Sequence, residues 1–241
     1  MKAVKATDRA AVTALLKERA DVNAREADGT TALYWAAERN DVAIGSALIR
    51  AGADVKAASR YGFAPLQVAS LNGNAEFLEL LLNAGADPNA ATPAGETALM
   101  TAARTGVADA VNALLAHAAD PNVKESLRGQ TALMWAAGEG HSEAIKALLE
   151  RGADLRAKSN AGWTALLFAA RDGHIDAVQT LLHAGADVND ALPASTGGAR
   201  RRPEGAPGGA DDPRGLSALH LAVASRHYEL AAVLLDKGAD P

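Results

Sequence analysis

Apolar and polar residues alternate along this chain at helical spacing, in short stretches separated by glycine. Within residues 129–154, Leu133 and Ala136 lie on one helical face, and Ile145 and Leu148 do so again after a short polar break. Glycines stand at the break and after the second stretch, where helices commonly end. The stretch therefore predicts two short amphipathic helices joined by a turn and followed by a loop.

The same pattern recurs along the chain with a period of about 33 residues. A fixed period in this range is typical of a stacked array, because a single helix pair is too small to bury its apolar face without neighbours. One interval contains an additional residue before Arg128, which predicts a longer loop at that point. The loop glycines that mark the period are Gly29, Gly62, Gly95, Gly129, Gly162 and Gly215.

The motif inside the period is specific. T-A-L-x-x-A-A-x-x-G-H is followed by A-x-x-x-L-L-x-x-G-A-D and then by the next G-x-T-A-L. This motif resembles the ankyrin repeat, which has the same period and the cue T-P-L-H-x-A. The resemblance covers nearly the whole chain and implies an all-α ankyrin-repeat solenoid of about seven repeats. In that fold, stacked antiparallel helix pairs carry projecting β-hairpin fingers.

We expect residues 1–241 to form a single ankyrin-repeat array. It divides into a partial N-terminal capping repeat at 2–27, five full repeats at 28–191 and a truncated last repeat at 215–241. Residues 192–214 interrupt the period and are rich in Pro, Gly and Ala, with few apolar side chains to bury, so we expect a disordered insertion in a finger. Because both ends cut the repeat within a unit, we also expect a fragment of a longer protein.

Several residues have local roles that the pattern predicts. Thr131 and Ser142 precede the two apolar stretches of their unit and are expected to cap its helices. Gly45 is expected to weaken the second helix of its unit, because glycine is a poor helix former. The resemblance implies that His141 and His174, which follow the turn glycine, bind loop backbone. The recurring aspartate of each Gly-Ala-Asp is expected to hold a turn.

Composition adds few constraints on function. Charged residues are 22% of the chain and the net charge is −5, which gives no broad electrostatic reason to bind nucleic acid or an anionic membrane. There is no cysteine, so disulfide and thiol chemistry are excluded. No apolar run approaches the length of a membrane span, and the first residues do not resemble a secretory signal. We expect a soluble protein, with the compartment left open.

The motifs of common enzymes are absent from the sequence. It contains no G-x-S-x-G, no H-E-x-x-H, no G-x-G-x-x-G and no phosphate-binding loop. The histidines are spread through the repeats without an i, i+4 pair that could hold a metal. We therefore expect no catalytic residue, no cofactor, no metal and no small-molecule substrate.

The resemblance implies that protein partners bind the finger tips and the exposed residues of the first helices. Among these positions, Tyr61, Phe63, Leu71 and Trp163 are large and apolar. Phe63 and Trp163 are the expected anchors, with packing between fingers as the equally weighted alternative. The predicted partner-binding residues are Thr30, Glu38, Arg39, Tyr61, Phe63, Leu71, Asn72, Glu96, Arg104, Gln130, Glu139, Trp163, Arg171 and Asp172.

Three functions remain open at this point. The main hypothesis is a non-catalytic scaffold, monomeric in isolation, that binds an unidentified protein on the concave face and finger tips. The second is a regulatory or targeting array from a larger multidomain protein whose activity lies outside this chain. The third and weakest is nucleic-acid binding through the arginines at 200–202. Trp35, Trp135 and Phe168 are expected to pack between repeats or, alternatively, to line the concave groove.

Overall fold

The computed structural model describes residues 1–193 and 215–241. Within those residues the chain forms fourteen α-helices in seven consecutive pairs, which we number as units 1 to 7. The inner helices of the units are α1 (Lys2–Lys5), α3 (Ala32–Glu38), α5 (Pro65–Leu71), α7 (Ala98–Thr105), α9 (Ala132–Gly138), α11 (Ala165–Asp172) and α13 (Ala218–Ala224). The outer helices are α2 (Arg9–Lys17), α4 (Val42–Arg50), α6 (Ala75–Asn83), α8 (Ala108–Ala116), α10 (Ser142–Glu150), α12 (Ile175–His183) and α14 (Tyr228–Asp236).

The helices form two layers. Inner helices pack side by side from α1 to α13, outer helices do so from α2 to α12, and each inner helix also packs against the outer helix of its own unit. A continuous hydrophobic core extends between the layers from Val4 to Ala239. This arrangement confirms the all-α solenoid that the period and the motif predict.

Small residues allow the inner helices to approach closely. Ala136 and Ala137 in α9 are completely buried, as are Ala169 and Ala170 in α11. Leu133 fills the space between the layers and is 1% exposed. Because these sites are fully packed, a larger side chain at an alanine position would force the neighbouring helices apart.

One of the two capping predictions is confirmed and the other is wrong by one residue. The hydroxyl of Thr131 accepts from the backbone N–H of Met134 at 3.4 Å, at the start of α9. His141 holds the N-cap position of α10, so that Ser142 is the first residue inside the helix. The Ser142 hydroxyl is buried and has no hydrogen-bond partner among the described residues.

Gly45 has a packing role that local propensity does not reveal. A Cβ atom at this position would lie 2.6 Å from Cζ of Phe77, a completely buried side chain of α6. Glycine in α4 therefore makes room for the phenyl ring of the next unit. The expectation that Gly45 only weakens its helix is incomplete, because it ignores this contact between units.

The histidines and the recurring aspartate make hydrogen bonds with backbone groups, although the histidines contact the ends of inner helices and not the loops that the resemblance implies. Nε2 of His141 lies 3.0 Å from the carbonyl oxygen of Arg104, and Nε2 of His174 lies 3.0 Å from that of Gly138. Each histidine therefore links its unit to the preceding one. Asp154 accepts from the backbone N–H of Arg156 at 2.9 Å, which confirms the turn role of the recurring aspartate.

The fingers are tight turns with little strand pairing. In the finger of unit 3 the N–H of Ser59 donates to the carbonyl of Phe63 at 2.9 Å, and the N–H of Arg60 donates to the carbonyl of Asp28 in the preceding finger at 2.8 Å. Within the described residues, isolated β-bridges form only at Ala91–Thr97 and Ala191–Ser217. The projecting hairpins that the resemblance implies are thus reduced to stacked turns.

The two ends of the predicted insertion are hydrogen-bonded to each other in the finger between α12 and α13. The N–H of Leu192 donates to the carbonyl of Leu216 at 3.1 Å, and the N–H of Gly215 donates to the carbonyl of Leu192 at 3.1 Å. Leu192 is 4% exposed and so belongs to the finger rather than to the insertion. Residues 194–214, with the predicted disorder and the arginines at 200–202, lie outside the described residues.

Candidate interaction surface

Two neighbouring hollows open on the surface formed by the fingers and the inner helices of units 4 to 6. The first has a volume of about 450 Å³, and the second has a volume of about 420 Å³. They share part of their lining, including Leu127, Gln130 and Phe168. The predicted partner residues that line the hollows are Glu96, Arg104, Gln130, Glu139, Trp163, Arg171 and Asp172.

Leu127 is the feature of this surface that the sequence analysis missed. Its side chain is 77% exposed and lines both hollows, on the finger that joins α8 to α9. This finger is one residue longer than its neighbours, since the N–H of Glu125 donates to the carbonyl of Gln130 at 3.0 Å across five positions. The additional residue before Arg128 predicts the longer finger, but it does not by itself predict the exposed leucine.

The buried carboxylate of Glu125 holds the long finger together. Glu125 is 5% exposed and accepts from the backbone N–H groups of Leu127, Arg128 and Gln130 at 2.6 to 3.0 Å. Burial acts to raise the pKa of this carboxyl, but the hydrogen bonds from Gln130, Leu127 and Arg128 outweigh it and leave the pKa lowered. Glu125 is therefore a charged structural residue of the finger.

Trp135, in α9, lines the first hollow together with residues of this finger. The guanidinium of Arg104 stands over its ring, 5.3 Å from the centroid, which is a cation–π distance. The indole nitrogen of Trp135 is buried and has no hydrogen-bond partner in the described part of the chain. Trp135 thus combines both expected positions, since it packs between units and also lines the first hollow.

Unit 2 contains a closely similar group in which the indole is satisfied. Nε1 of Trp35 donates to Oε2 of Glu26 at 3.1 Å, and Nζ of Lys5 lies 4.1 Å from the Trp35 ring centroid. Lys5 is the main cause of a lowered Glu26 pKa. The Thr30 hydroxyl also contacts Glu26, at 3.2 Å, and Thr30 is 4% exposed. Thr30 is therefore buried and not exposed as the sequence predicts, while its contact with a partner stays a prediction.

In unit 6 the aromatic residues pack against one another. The rings of Trp163 and Phe168 have centroids 5.2 Å apart, and the guanidinium of Arg171 lies 5.2 Å from each of them. Arg171 also forms an ion pair with Asp172, and this contact raises the pKa of the guanidinium. Trp163 therefore packs on the inner helix of its own unit, and its remaining surface lines the second hollow.

The other predicted residues lie on units 2 and 3, outside the two hollows. Tyr61, Phe63 and Leu71 are 59%, 40% and 55% exposed, as the sequence predicts for these apolar side chains. The side-chain amide of Asn72 donates to the carbonyl of Ala37 at 3.0 Å and is occupied in linking units. Glu38 and Arg39 form an ion pair with each other at 3.2 Å.

Two further classes of site are absent from the described residues. Residues 1–193 and 215–241 contain no group of three His, Cys, Asp or Glu side chains placed to hold a metal ion. None of the helices in the same ranges is both long enough and apolar enough to cross a bilayer.

Stacked helix pairs that enclose one hydrophobic core between two layers define a helical-repeat protein. The family model described as "Ankyrin repeats (3 copies)" matches residues 1–92 and 99–191, and the model described as "Ankyrin repeat" matches residues 214–241. The chain belongs to the ankyrin repeat proteins. Repeats of this family are generally protein–protein interaction modules, and proteins built from them are typically non-catalytic scaffolds. No curated protein matches the chain.

Proposed function

We propose that this chain binds a partner protein along the groove, with the two hollows of units 4 to 6 at the centre of the contact. The grouping of Leu127 with Trp135, Trp163 and Phe168 around the two hollows carries this proposal, because a single exposed leucine is ordinary on a protein surface, whereas apolar side chains gathered at one place mark interaction sites. Trp135, Trp163 and Arg171 line the same hollows, and tryptophan and arginine are the residue types that dominate binding energy at interfaces.

The regulatory or targeting role in a larger protein stays a prediction. A partner bound in the groove would serve that role as well as it would serve a simple scaffold. The sequence-based hypothesis of nucleic-acid binding rests on residues 200–202, which lie outside the described residues, and no described contact favours it.

Site-specific photo-crosslinking tests which surface the partner contacts. A photoreactive amino acid replaces Glu139, which lines the first hollow, or Lys146 on the outer helix α10, whose side chain is 52% exposed. In an extract of the native source, we expect one defined crosslinked protein from position 139 and none from position 146. Equal crosslinking at both positions, or crosslinking at position 146 alone, would contradict the proposal.

Substitution of the exposed leucine tests the centre of the contact. Leu127→Asp is expected to weaken capture of that crosslinked protein at least about tenfold, because a charge replaces an apolar contact. The fold should be unaffected, since the side chain is 77% exposed. Leu235→Asp is the matched control in α14, where the leucine is 48% exposed and distant from the hollows, and should leave capture unchanged. Equal capture by both variants would place the contact elsewhere.

A further inference from the structure

Units 2 and 5 each contain a tryptophan with a cation over its ring, but the two differ in what the indole N–H meets. In unit 2 the carboxylate of Glu26 accepts from Trp35 Nε1 at 3.1 Å, from Lys5 Nζ at 2.7 Å and from the Thr30 hydroxyl at 3.2 Å. The tryptophan, the cation and the residue after the finger glycine therefore form a carboxylate site, which the chain fills with its own side chain.

Unit 5 has the same three elements at equivalent positions. Trp135 replaces Trp35, the guanidinium of Arg104 lies 5.3 Å from its ring centroid, and Gln130 follows the finger glycine. Glu125 is the counterpart of the unit 2 glutamate, since its backbone N–H closes the finger in the same way. Its carboxylate, however, accepts three N–H groups of the longer finger instead of the indole. The Trp135 N–H is consequently left without an acceptor among the described residues.

The space for an external group comes from Gly138, the last residue of α9. A Cβ atom added there would have no neighbour closer than 3.9 Å, and its backbone is not in the left-handed region. Neither crowding nor conformation therefore requires glycine, although glycine lowers helix stability. In the adjacent units the same position carries Arg104 and Arg171. Gly138 thus leaves a gap between two arginines, which is part of the first hollow.

The charges around the gap define the ligand. Arg171 is already paired with Asp172, whereas Arg104 has no ion pair within the described residues. Glu96, Glu125 and Glu139 also line the hollow, together with Arg128, and the three glutamates would repel a strongly anionic group. A single carboxylate next to neutral or basic residues satisfies both conditions, because its one charge meets Arg104 while its neighbours avoid repulsion by the three glutamates.

We propose that the hollow at Gly138 binds an aspartate or glutamate side chain of the partner protein. The carboxylate is held by the guanidinium of Arg104, the indole N–H of Trp135 and the side-chain amide of Gln130. Arg104 is exposed, so its side chain is free to change rotamer and bring the guanidinium to the carboxylate beside the indole N–H. This inference rests on the proposed function and adds the chemistry of the residue that the groove selects.

Peptide selection on the intact chain, followed by a double-mutant cycle, tests this inference. Random peptides are selected for binding to the 241-residue chain, and each acidic residue of the selected peptides is changed to its amide. We expect one acidic position whose change weakens binding at least about tenfold. Trp135→Phe, which keeps a ring but removes the N–H, should reduce that effect to about twofold. Trp35→Phe is the matched control and should leave the tenfold effect intact.

The possible outcomes separate this inference from the proposed function. The carboxylate site is refuted if the selected peptides crosslink from position 139 but contain no essential acidic residue. It is also refuted if Trp135→Phe leaves the effect of the acid-to-amide change unaltered; in either case the proposal of groove binding stands. If no peptide crosslinks from position 139, the carboxylate site and groove binding are both refuted. N-acetylglutamate provides the small-molecule comparison, followed through the Trp135 indole N–H signal in NMR spectra. Binding as tight as that of the peptides would refute a protein side chain as the ligand.

Discussion

Glu125 shows how a single residue can change the role of its whole unit. Its carboxylate accepts three backbone N–H groups of the long finger, and these bonds replace the contact with tryptophan that Glu26 makes in unit 2. Hydrogen bonds to a charged acceptor are among the stronger ones in proteins. The finger that presents Leu127 is therefore expected to depend on the charge of Glu125.

The pH dependence of stability tests that role. The pKa of Glu125 is lowered from its ordinary value of 4.5, so its stabilising contribution is complete above that value and is lost as the pH falls through the lowered pKa. Glu125→Gln is expected to lower the free energy of unfolding by about 1 kcal/mol at pH 7 and by less near pH 3. Urea unfolding at the two pH values measures both differences. The control is Glu150→Gln at an exposed site, and an equal loss at both pH values would contradict the charged role.

Whether the sequence predicts the role of a single residue depends on where that residue's contacts come from. Thr131 and the histidines follow local rules, because a cap or a loop bond involves only residues near in sequence or one period away. Thr30 failed as a surface residue because two loop carboxylates bind its hydroxyl. Trp163 could be read either as an anchor or as a packed residue, and its contact with Phe168 is visible only in three dimensions.

At the scale of elements, glycine has opposite effects on stability in two of the helices. A Cβ atom at Gly45 in α4 would overlap the ring of Phe77, whereas one at Gly138 in α9 would make only ordinary contacts with Phe168 and Asp172. Helix propensity alone assigns both glycines the same destabilising effect. The two positions differ because of the side chains that the next unit packs against each of them.

Alanine at the two glycines is expected to change stability in opposite directions. Gly138→Ala should raise the free energy of unfolding by about 0.5–1 kcal/mol, because alanine restricts the unfolded chain and fits without a clash. Gly45→Ala should lower it by about 1–3 kcal/mol, because the new methyl group overlaps the ring of Phe77. Thermal melting of both variants provides the measurement. A shift of the same sign in both would contradict this account of their packing.

At the scale of the whole molecule, stability depends on contacts between units. Leu133→Ala, at a 1% exposed site in the middle of the array, is expected to cost about 2–5 kcal/mol and to uncouple the two halves. Urea unfolding followed by the fluorescence of Trp35 and Trp163 in single-tryptophan variants should then give two separate midpoints. Leu71→Ala, at a site that is 55% exposed, should keep a single transition. A single, unshifted transition in the Leu133 variant would refute the stacking account.

Removal of the insertion tests whether the array is continuous across it. Deleting residues 194–213 leaves Leu192 and Leu216 joined by three residues, as Ser59 and Phe63 are in unit 3. A shorter loop costs less entropy to close, so the free energy of unfolding should rise by about 1–2 kcal/mol or stay unchanged. Chemical denaturation provides the measurement. A loss of stability would show that the deleted residues contribute to the fold.

The sequence by itself determined the period, the pairing of helices, the Thr131 cap and the family, because each follows from residues that repeat at fixed spacing and interact within one unit or with the next. The tertiary structure alone decided which predicted surface residues share the two hollows, why Gly45 is needed, and why the Trp135 N–H lacks an acceptor. Those features arise where the units differ, and their effects depend on side chains of neighbouring units meeting in space.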